Sequence, residues 1–215
     1  MNTVFLPKTS PKPLEKLFLP KDALVLVGAG YFESLSLDDE LRGDSHVIRG
    51  LCILSQKLNI TFLCPTKIFC HGKVFFGTVV VDSGKFLGIS DATHSISGEF
   101  SESNSLRVFD TNQGRLGIVS GDDLYFFEVS RLLKLWECDV LIFCAQKLGQ
   151  KEKILAKAQG YTNETTSIIF SSEQVFAYNC KRLNKKNNLL MMQTRSEKNL
   201  IEKRKKDLYR DLIIR

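Results

Sequence analysis

The chain has 215 residues, 43% of them hydrophobic, so it can bury one sizeable core and a single globular domain spanning 1–215 is expected. It has no run of eighteen apolar residues and no apolar core of a signal peptide, which argues against a membrane partner and predicts a cytoplasmic protein. The net charge of +6 is uneven, since twelve Lys and Arg stand against four Asp and Glu from Lys181 onward. We interpret 196–215 as a basic helical segment with a solvated face. Binding of nucleic acid or an acidic partner is the disfavoured alternative.

The cysteines and histidines indicate no metal centre and no disulfide framework. The six cysteines lie mostly inside apolar runs without Cys-x-x-Cys spacing, at positions 52, 64, 70, 138, 144 and 180. We therefore predict buried thiols in a reducing compartment. The three histidines show no ligand spacing, so no metal or other cofactor is predicted.

The first half of the chain alternates short apolar runs with one amphipathic helix. An apolar face at helical spacing predicts a helix over Asp44–Leu58, with Asp44 or Ser45 as its N-cap. Ser83-Gly84 between two apolar runs predicts a hairpin. The other elements expected here are a Leu14–Leu19 helix and the strands Thr3–Leu6, Ala23–Val27, Ile60–Cys64, Lys73–Asp82 and Lys85–Ile89.

The second half is organised around one strand–turn–helix–strand unit. Leu116–Val119 is a short apolar strand, and the polar turn Ser120–Asp123 leads into a helix that carries Phe127 and Trp136. Val140–Cys144 is a continuous apolar run, typical of a strand buried on both faces. Beyond it we expect a helix over Gly149–Ala158, strands over Ser167–Ser171 and Leu189–Gln193, and a polar, turn-rich stretch over Asn179–Asn188.

The stretch from Phe109 to Leu141 resembles the carbon–nitrogen hydrolase (nitrilase) superfamily. Members typically read F-D-T-x-x-G-R-I-G-x-x-I-C-Y-D-x-x-F-P-E-x-x-R-x-L-x-x-x-G-A-D-V-L. The chain matches in register at Phe109, Asp110, Thr111, Gly114, Arg115, Gly117, Asp123, Phe126, Glu128, Arg131, Leu133, Asp139, Val140 and Leu141. The resemblance implies an α/β fold, the nitrilase-like α-β-β-α four-layer sandwich, in a shortened form. It also implies a homodimer that pairs through the helix after Gly121 and the C-terminal segment.

The same resemblance places the catalytic Glu, Lys and Cys of the family on residues that cannot do their chemistry. The cysteine falls on Gly121, the lysine on Ala92 of Asp91-Ala92-Thr93-His94, and the glutamate at or next to Gly28. Phe76 stands where the family usually has an asparagine. Because nucleophile, base and oxyanion stabiliser are all absent, the reaction as the family runs it is excluded.

Other polar groups could substitute for the lost triad. The candidates near the expected pocket are His94, Glu99, Asp122 and Cys144, and Glu33 is a displaced acid that we disfavour. An ordinary structural role explains each of them, since a buried Cys usually acts as a small hydrophobe and an Asp often begins a helix.

Two functions follow from these observations. The favoured one is a catalytically inactive member that binds a small molecule or a protein, in a pocket larger and less charged than an active one. The alternative is a C–N (amide or nitrile) hydrolase with a substituted site, which requires two of the candidate side chains within hydrogen-bond reach of each other.

Overall fold

The computed structural model describes residues 1–9, 19–180, 182–186 and 189–193. The helices are α1 (Leu37–Arg42), α2 (Val47–Leu58), α3 (Phe127–Leu135) and α4 (Gln150–Thr162), and a 3-10 helix spans Gly121–Tyr125. The strands are β1 (Asn2–Leu6), β2 (Ala23–Val27), β3 (Leu35–Ser36), β4 (Thr61–Cys70), β5 (Lys73–Asp82), β6 (Lys85–Asp91), β7 (Val108–Thr111), β8 (Gly114–Ser120), β9 (Val140–Cys144), β10 (Thr166–Phe170), β11 (Val175–Tyr178), β12 (Arg182–Lys186) and β13 (Leu189–Gln193). None of the helices described is long and apolar enough to cross a bilayer.

The described strands form two sheets. The larger has the order β12-β13-β1-β2-β4-β5-β6, with β3 added beside β4, and the smaller has the order β11-β10-β9-β8-β7. β8 and β9 are parallel neighbours in the smaller sheet, and α3 lies between them in the sequence. The strand–turn–helix–strand unit predicted from the sequence is therefore confirmed. Ala92 directly follows the last residue of β6, and Gly121 directly follows the last residue of β8.

Successive side chains of a strand point to opposite faces of its sheet. This produces one apolar core between the sheets and one on each outer face, and so four layers of secondary structure. Leu24 and Leu26 of β2 pack between the sheets against residues of β8 and β9. Val25 points to the other face, where α2 packs through Leu51. On the outer face of the smaller sheet, the core that contains Leu133 of α3 also includes side chains of β9, β10 and α4. The order is helices, sheet, sheet, helices, which is the predicted α-β-β-α sandwich.

Strand bounds were best predicted where the apolar run was continuous. The predicted bounds agree with β2, β5, β9 and β13. The polar stretch Asn179–Asn188 was predicted to be turn-rich, but it contains β12, which pairs with β13 in an antiparallel register. The expected helices at Leu14–Leu19 and 196–215 fall on residues outside the described ranges, apart from Leu19.

The start of α2 corrects the predicted cap. Neither Asp44 nor Ser45 caps the helix, and the N-cap residue His46 makes no side-chain capping bond. The backbone N–H groups of Val47 and Ile48 donate to Glu40 of α1 at 2.7 and 3.3 Å. The capping carboxylate comes from a separate helix that the sequence pattern did not reveal, since α1 spans only six residues.

Candidate functional site

Gly121 and Ala92, to which the resemblance assigns the family's cysteine and lysine, face each other. Gly121 follows β8 with a φ of +58°, and a Cβ built on it would lie 3.5 Å from the Cβ of Ala92. Ala92 is held there by its backbone N–H, which donates to Phe76 O at 2.9 Å. Two of the three positions assigned by resemblance are therefore neighbours in space.

An aromatic ring, that of Phe76, packs directly against Gly121. Phe76 Cδ1 would lie 3.1 Å from a Cβ on Gly121, and the Phe76 side chain is buried. Phe76 packs on Phe100, with ring centroids 5.8 Å apart, and on Ala29, an apolar cluster that we call the phenylalanine plug. The sequence predicted an enlarged pocket here. That expectation is wrong beside Gly121, because Phe76 occupies the space that the smaller side chains leave.

Gly28 has no room for any side chain. A Cβ there would lie 2.3 Å from Ser172 O and 2.8 Å from the backbone nitrogen of Lys8. The neighbouring Ala29 is the residue that contacts the plug. The sequence left the position of the glutamate open, at or next to Gly28. The neighbouring residue Ala29 borders Phe76, and its side chain is a methyl group.

Ser120, beside the missing nucleophile, points away from the plug into the sandwich. Its hydroxyl donates to Ser90 O at 2.8 Å and lies 3.1 Å from Thr78 Oγ1. All three residues are buried, and neither partner of Ser120 is a base. Ser120 is therefore a satisfied polar group between the sheets and cannot be activated as a nucleophile.

The best-organised polar cluster joins the loop after β6 to the 3-10 helix. Asp123, 1% exposed, accepts hydrogen bonds from Thr93 N at 2.8 Å and Thr93 Oγ1 at 2.7 Å. His94 Nδ1 lies 2.7 Å from the same carboxylate. The imidazole is stacked on Phe126, with centroids 3.8 Å apart and planes at 13°. Asp123 thus fixes His94 through Nδ1, which leaves Nε2 as the nitrogen available to a ligand.

His94 borders an open groove of about 340 Å³ between this loop and α3. Its walls are formed by Thr93, His94, Ser103, Asn104, Leu106, Glu128, Val129, Leu132 and Trp136. Apolar side chains dominate, and the His94 imidazole and Glu128 carboxylate contribute polar groups of complementary character. A mostly apolar lining with a few polar groups is found in small-molecule sites, which are usually more enclosed than this open groove. Sequence reasoning identified only His94 here, although Glu128 is a matched motif residue.

The four substitute candidates do not form a site together. Glu99 pairs with Lys67 Nζ at 2.8 Å, with both side chains about half exposed. Asp122 accepts a hydrogen bond from the backbone of Ile96 at 2.7 Å. Cys144 is buried, and that burial raises the pKa of its thiol to about 12, so it is no thiolate nucleophile at neutral pH. In the described part of the chain no hydrogen bond joins any two of His94, Glu99, Asp122 and Cys144.

Two further carboxyl groups complete the description. Glu33, the disfavoured displaced acid, lies on an exposed loop. Asp91, where the family usually has an arginine, is largely buried beside Gly77. Burial raises the pKa of Asp91 to about 6, although the positive charge of Arg107 acts to lower it. The Oδ1 atom of Asp91 has no hydrogen-bond partner among the described residues.

The fold is similar to solved structures of C–N hydrolases. No protein-family model matches the sequence, and no curated protein matches it. Nit3 of Saccharomyces cerevisiae, from branch 10 of the nitrilase superfamily, superposes with a TM-score of 0.55 at 17% identity, over 69% of this chain and 61% of Nit3. A carbon–nitrogen hydrolase from Helicobacter pylori gives a TM-score of 0.54 at 16% identity, over 68% of this chain and 60% of the hydrolase.

A third structure is a mutant amidase from Nesterenkonia sp. AN1, with the acetamide moiety of fluoroacetamide covalently added at its active-site cysteine. It superposes with a TM-score of 0.54 at 12% identity, over 78% of this chain and 65% of the amidase. The chain thus spans between 60% and 65% of the length of these three structures. The chain has the α-β-β-α fold of the nitrilase superfamily, as the resemblance of its sequence predicted.

Proposed function

We propose that this protein is a catalytically inactive nitrilase-like protein that binds a small molecule in the groove beside His94. The observation that carries the proposal is the packing of the Phe76 ring against Gly121, which faces Ala92. No group at these positions can attack a carbon, move a proton or stabilise an oxyanion, so the site lacks every element of the family reaction.

The groove supports binding as the retained function. Its apolar wall, with Leu132 and Trp136, suits a ring or short aliphatic chain, and both side chains are more than a third exposed. His94 and Glu128 would orient polar atoms of the ligand. The expected ligand is a compact molecule with an apolar body and an amide, carboxamide or similar polar end.

Binding can be measured with the protein's own fluorophore. The chain has a single tryptophan, and Trp136 lines the groove, so its emission reports occupancy. A panel of amides, nitriles and N-carbamoyl compounds is titrated against wild type and H94A. We expect saturable quenching or blue shift with at least one compound, weakened in H94A and retained in H71A, a matched control outside the groove. No change in emission across the panel would contradict the proposed ligand class.

Nucleophile loss is tested separately with fluoroacetamide, since the Nesterenkonia amidase carries its acetamide moiety on a cysteine. We expect intact-mass spectrometry to find no stoichiometric adduct on this chain, while an active C–N hydrolase in parallel is modified. An adduct on wild type that C144A removes would contradict the inactive assignment.

A second candidate function is a hydrolase with a substituted site, favoured by the Asp123–His94 pair. An imidazole oriented by a buried carboxylate is the arrangement of a general base. This alternative requires turnover that H94A abolishes. We rank it second because, among the described residues, neither candidate nucleophile, Cys144 or Asp122, is hydrogen-bonded to His94.

We also propose that the chain forms a homodimer through α3. Phe127, Leu132 and Trp136 are each between 37% and 39% exposed, and a second copy would cover them. In such a dimer the open side of the groove faces the partner subunit.

A further inference from the structure

Three different metal-ligating side chains converge at the tip of the β4–β5 hairpin. Cys70 is the last residue of β4, His71 begins the two-residue turn, and Asp38 lies in the first turn of α1. One donor atom from each of these residues lies within 4.8 Å of the donor atoms of the other two. None of the three lines the groove or the phenylalanine plug.

Local backbone geometry brings these side chains together. His71 and Gly72 both have positive φ, +48° and +74°, as a tight turn between paired strands requires. The pairing of Ser36 in β3 with Phe69 in β4 then places the start of α1 beside the turn. The arrangement depends on a left-handed histidine, where glycine or asparagine would be the easier choice.

Asp38 is oriented by the turn itself. Its Oδ2 accepts a hydrogen bond from the backbone N–H of His71 at 3.0 Å, and its Oδ1 lies 3.5 Å from His71 Nδ1. One carboxylate oxygen is therefore fixed by the backbone while the other faces the imidazole. The His71 side chain is 84% exposed, so its ring can rotate without displacing packed neighbours.

We propose that Asp38, Cys70 and His71 bind a borderline divalent transition-metal ion such as Zn²⁺, with a fourth position open to water. Thiolate, imidazole and carboxylate are the ligand types that zinc takes, whereas Ca²⁺ and Mg²⁺ prefer an all-oxygen set. Metal–ligand bonds of about 2.0–2.3 Å place the ligand atoms closer together than 4.8 Å, so binding requires small rotations of the ligand side chains. The bound ion would join α1 to the hairpin.

Cobalt titration of tag-free protein tests the site, because a thiolate–cobalt bond gives a near-ultraviolet charge-transfer band and a tetrahedral ion gives visible absorption. We expect one Co²⁺ per chain with both signals, and displacement by Zn²⁺. C70S should lose the charge-transfer band, while H71A and D38N should bind about tenfold or more weakly. C52S and H46A, a half-buried thiol and an exposed imidazole outside the cluster, are matched controls and should bind like wild type.

Three outcomes would overturn the proposal. They are the absence of a charge-transfer band in wild type, a band that persists in C70S, and equal loss of binding in C52S and C70S. Because His71 is exposed, H71A should fold as wild type does, and circular dichroism checks this. Zn²⁺ should raise the melting temperature of wild type by more than that of H71A. Equal shifts in both proteins would also contradict the site.

Discussion

Replacing Phe76 with alanine removes the ring that packs against Gly121. Phe76 is 4% exposed, so the substitution loses a transfer free energy of about 2–3 kcal/mol for the ring. The cavity left between Gly121, Ala29 and Phe100 adds to this, and buried Phe→Ala changes typically destabilise by ~3–5 kcal/mol in total. We expect the free energy of unfolding to fall by about 4 kcal/mol.

Urea denaturation followed by circular dichroism measures this loss. The matched control is F86A, because Phe86 is 43% exposed and its removal leaves no closed cavity, so about 1 kcal/mol is expected. Equal losses in F76A and F86A would refute the packing of the plug. The cavity in F76A should also bind a small aromatic compound that wild type does not bind, since apolar cavities of this kind stay dry and accept such ligands.

Three further predictions concern groups outside the plug. D123A should lose about 2–4 kcal/mol of unfolding free energy in thermal or urea melts, because Thr93 and His94 lose their buried, charged acceptor. D122A loses one backbone contact and should change stability by less than about 1 kcal/mol. Similar losses in the two variants would contradict this. The folded-state pKa of Asp91 is raised from 3.8 to about 6, so its stability contribution is present below pH 4 and is lost as pH rises to 6. In urea titrations D91N should therefore be more stable than wild type by about 1 kcal/mol at pH 7, a value reduced because Asp91 is partly exposed. The two proteins should be equally stable near pH 4. A difference in stability that stays constant from about pH 4 to about pH 7 would be inconsistent with the pKa shift. Sedimentation velocity should find a dimer for wild type and a monomer for L132E, and a monomeric wild type would contradict pairing through α3.

The layers of the fold could be predicted from local sequence because each is built from an apolar run or an apolar face. Ala23–Val27 and Val140–Cys144 are continuous runs, and both are strands buried on two faces. β3, with two residues, and β7, with four, are too short to give a periodic pattern, so the sequence did not reveal them. The α-β-β-α order came from the resemblance of Phe109–Leu141 to the nitrilase superfamily.

The candidate site was assigned by resemblance. That assignment places Gly121 and Ala92 at catalytic positions, and a Cβ on Gly121 would lie 3.5 Å from the Cβ of Ala92. The role of Phe76 could not be predicted, since its partner Phe100 comes from a loop whose path depends on tertiary packing. From the sequence, Asp123 was expected in the polar turn that leads into the helix. Its hydrogen-bond partners Thr93 and His94 lie 30 and 29 residues away in the sequence. Helix and strand periodicities relate only near neighbours, so they could not predict these contacts.

Ammonia release from amides, nitriles and N-carbamoyl compounds tests the central claim most directly. The claim is that the nitrilase fold of this chain holds apolar side chains and glycine where C–N hydrolysis needs ionisable groups. We predict that wild-type protein releases no more ammonia than heat-denatured protein with any compound of the panel. Ammonia release that is proportional to protein concentration and lost in H94A or C144A would contradict the claim.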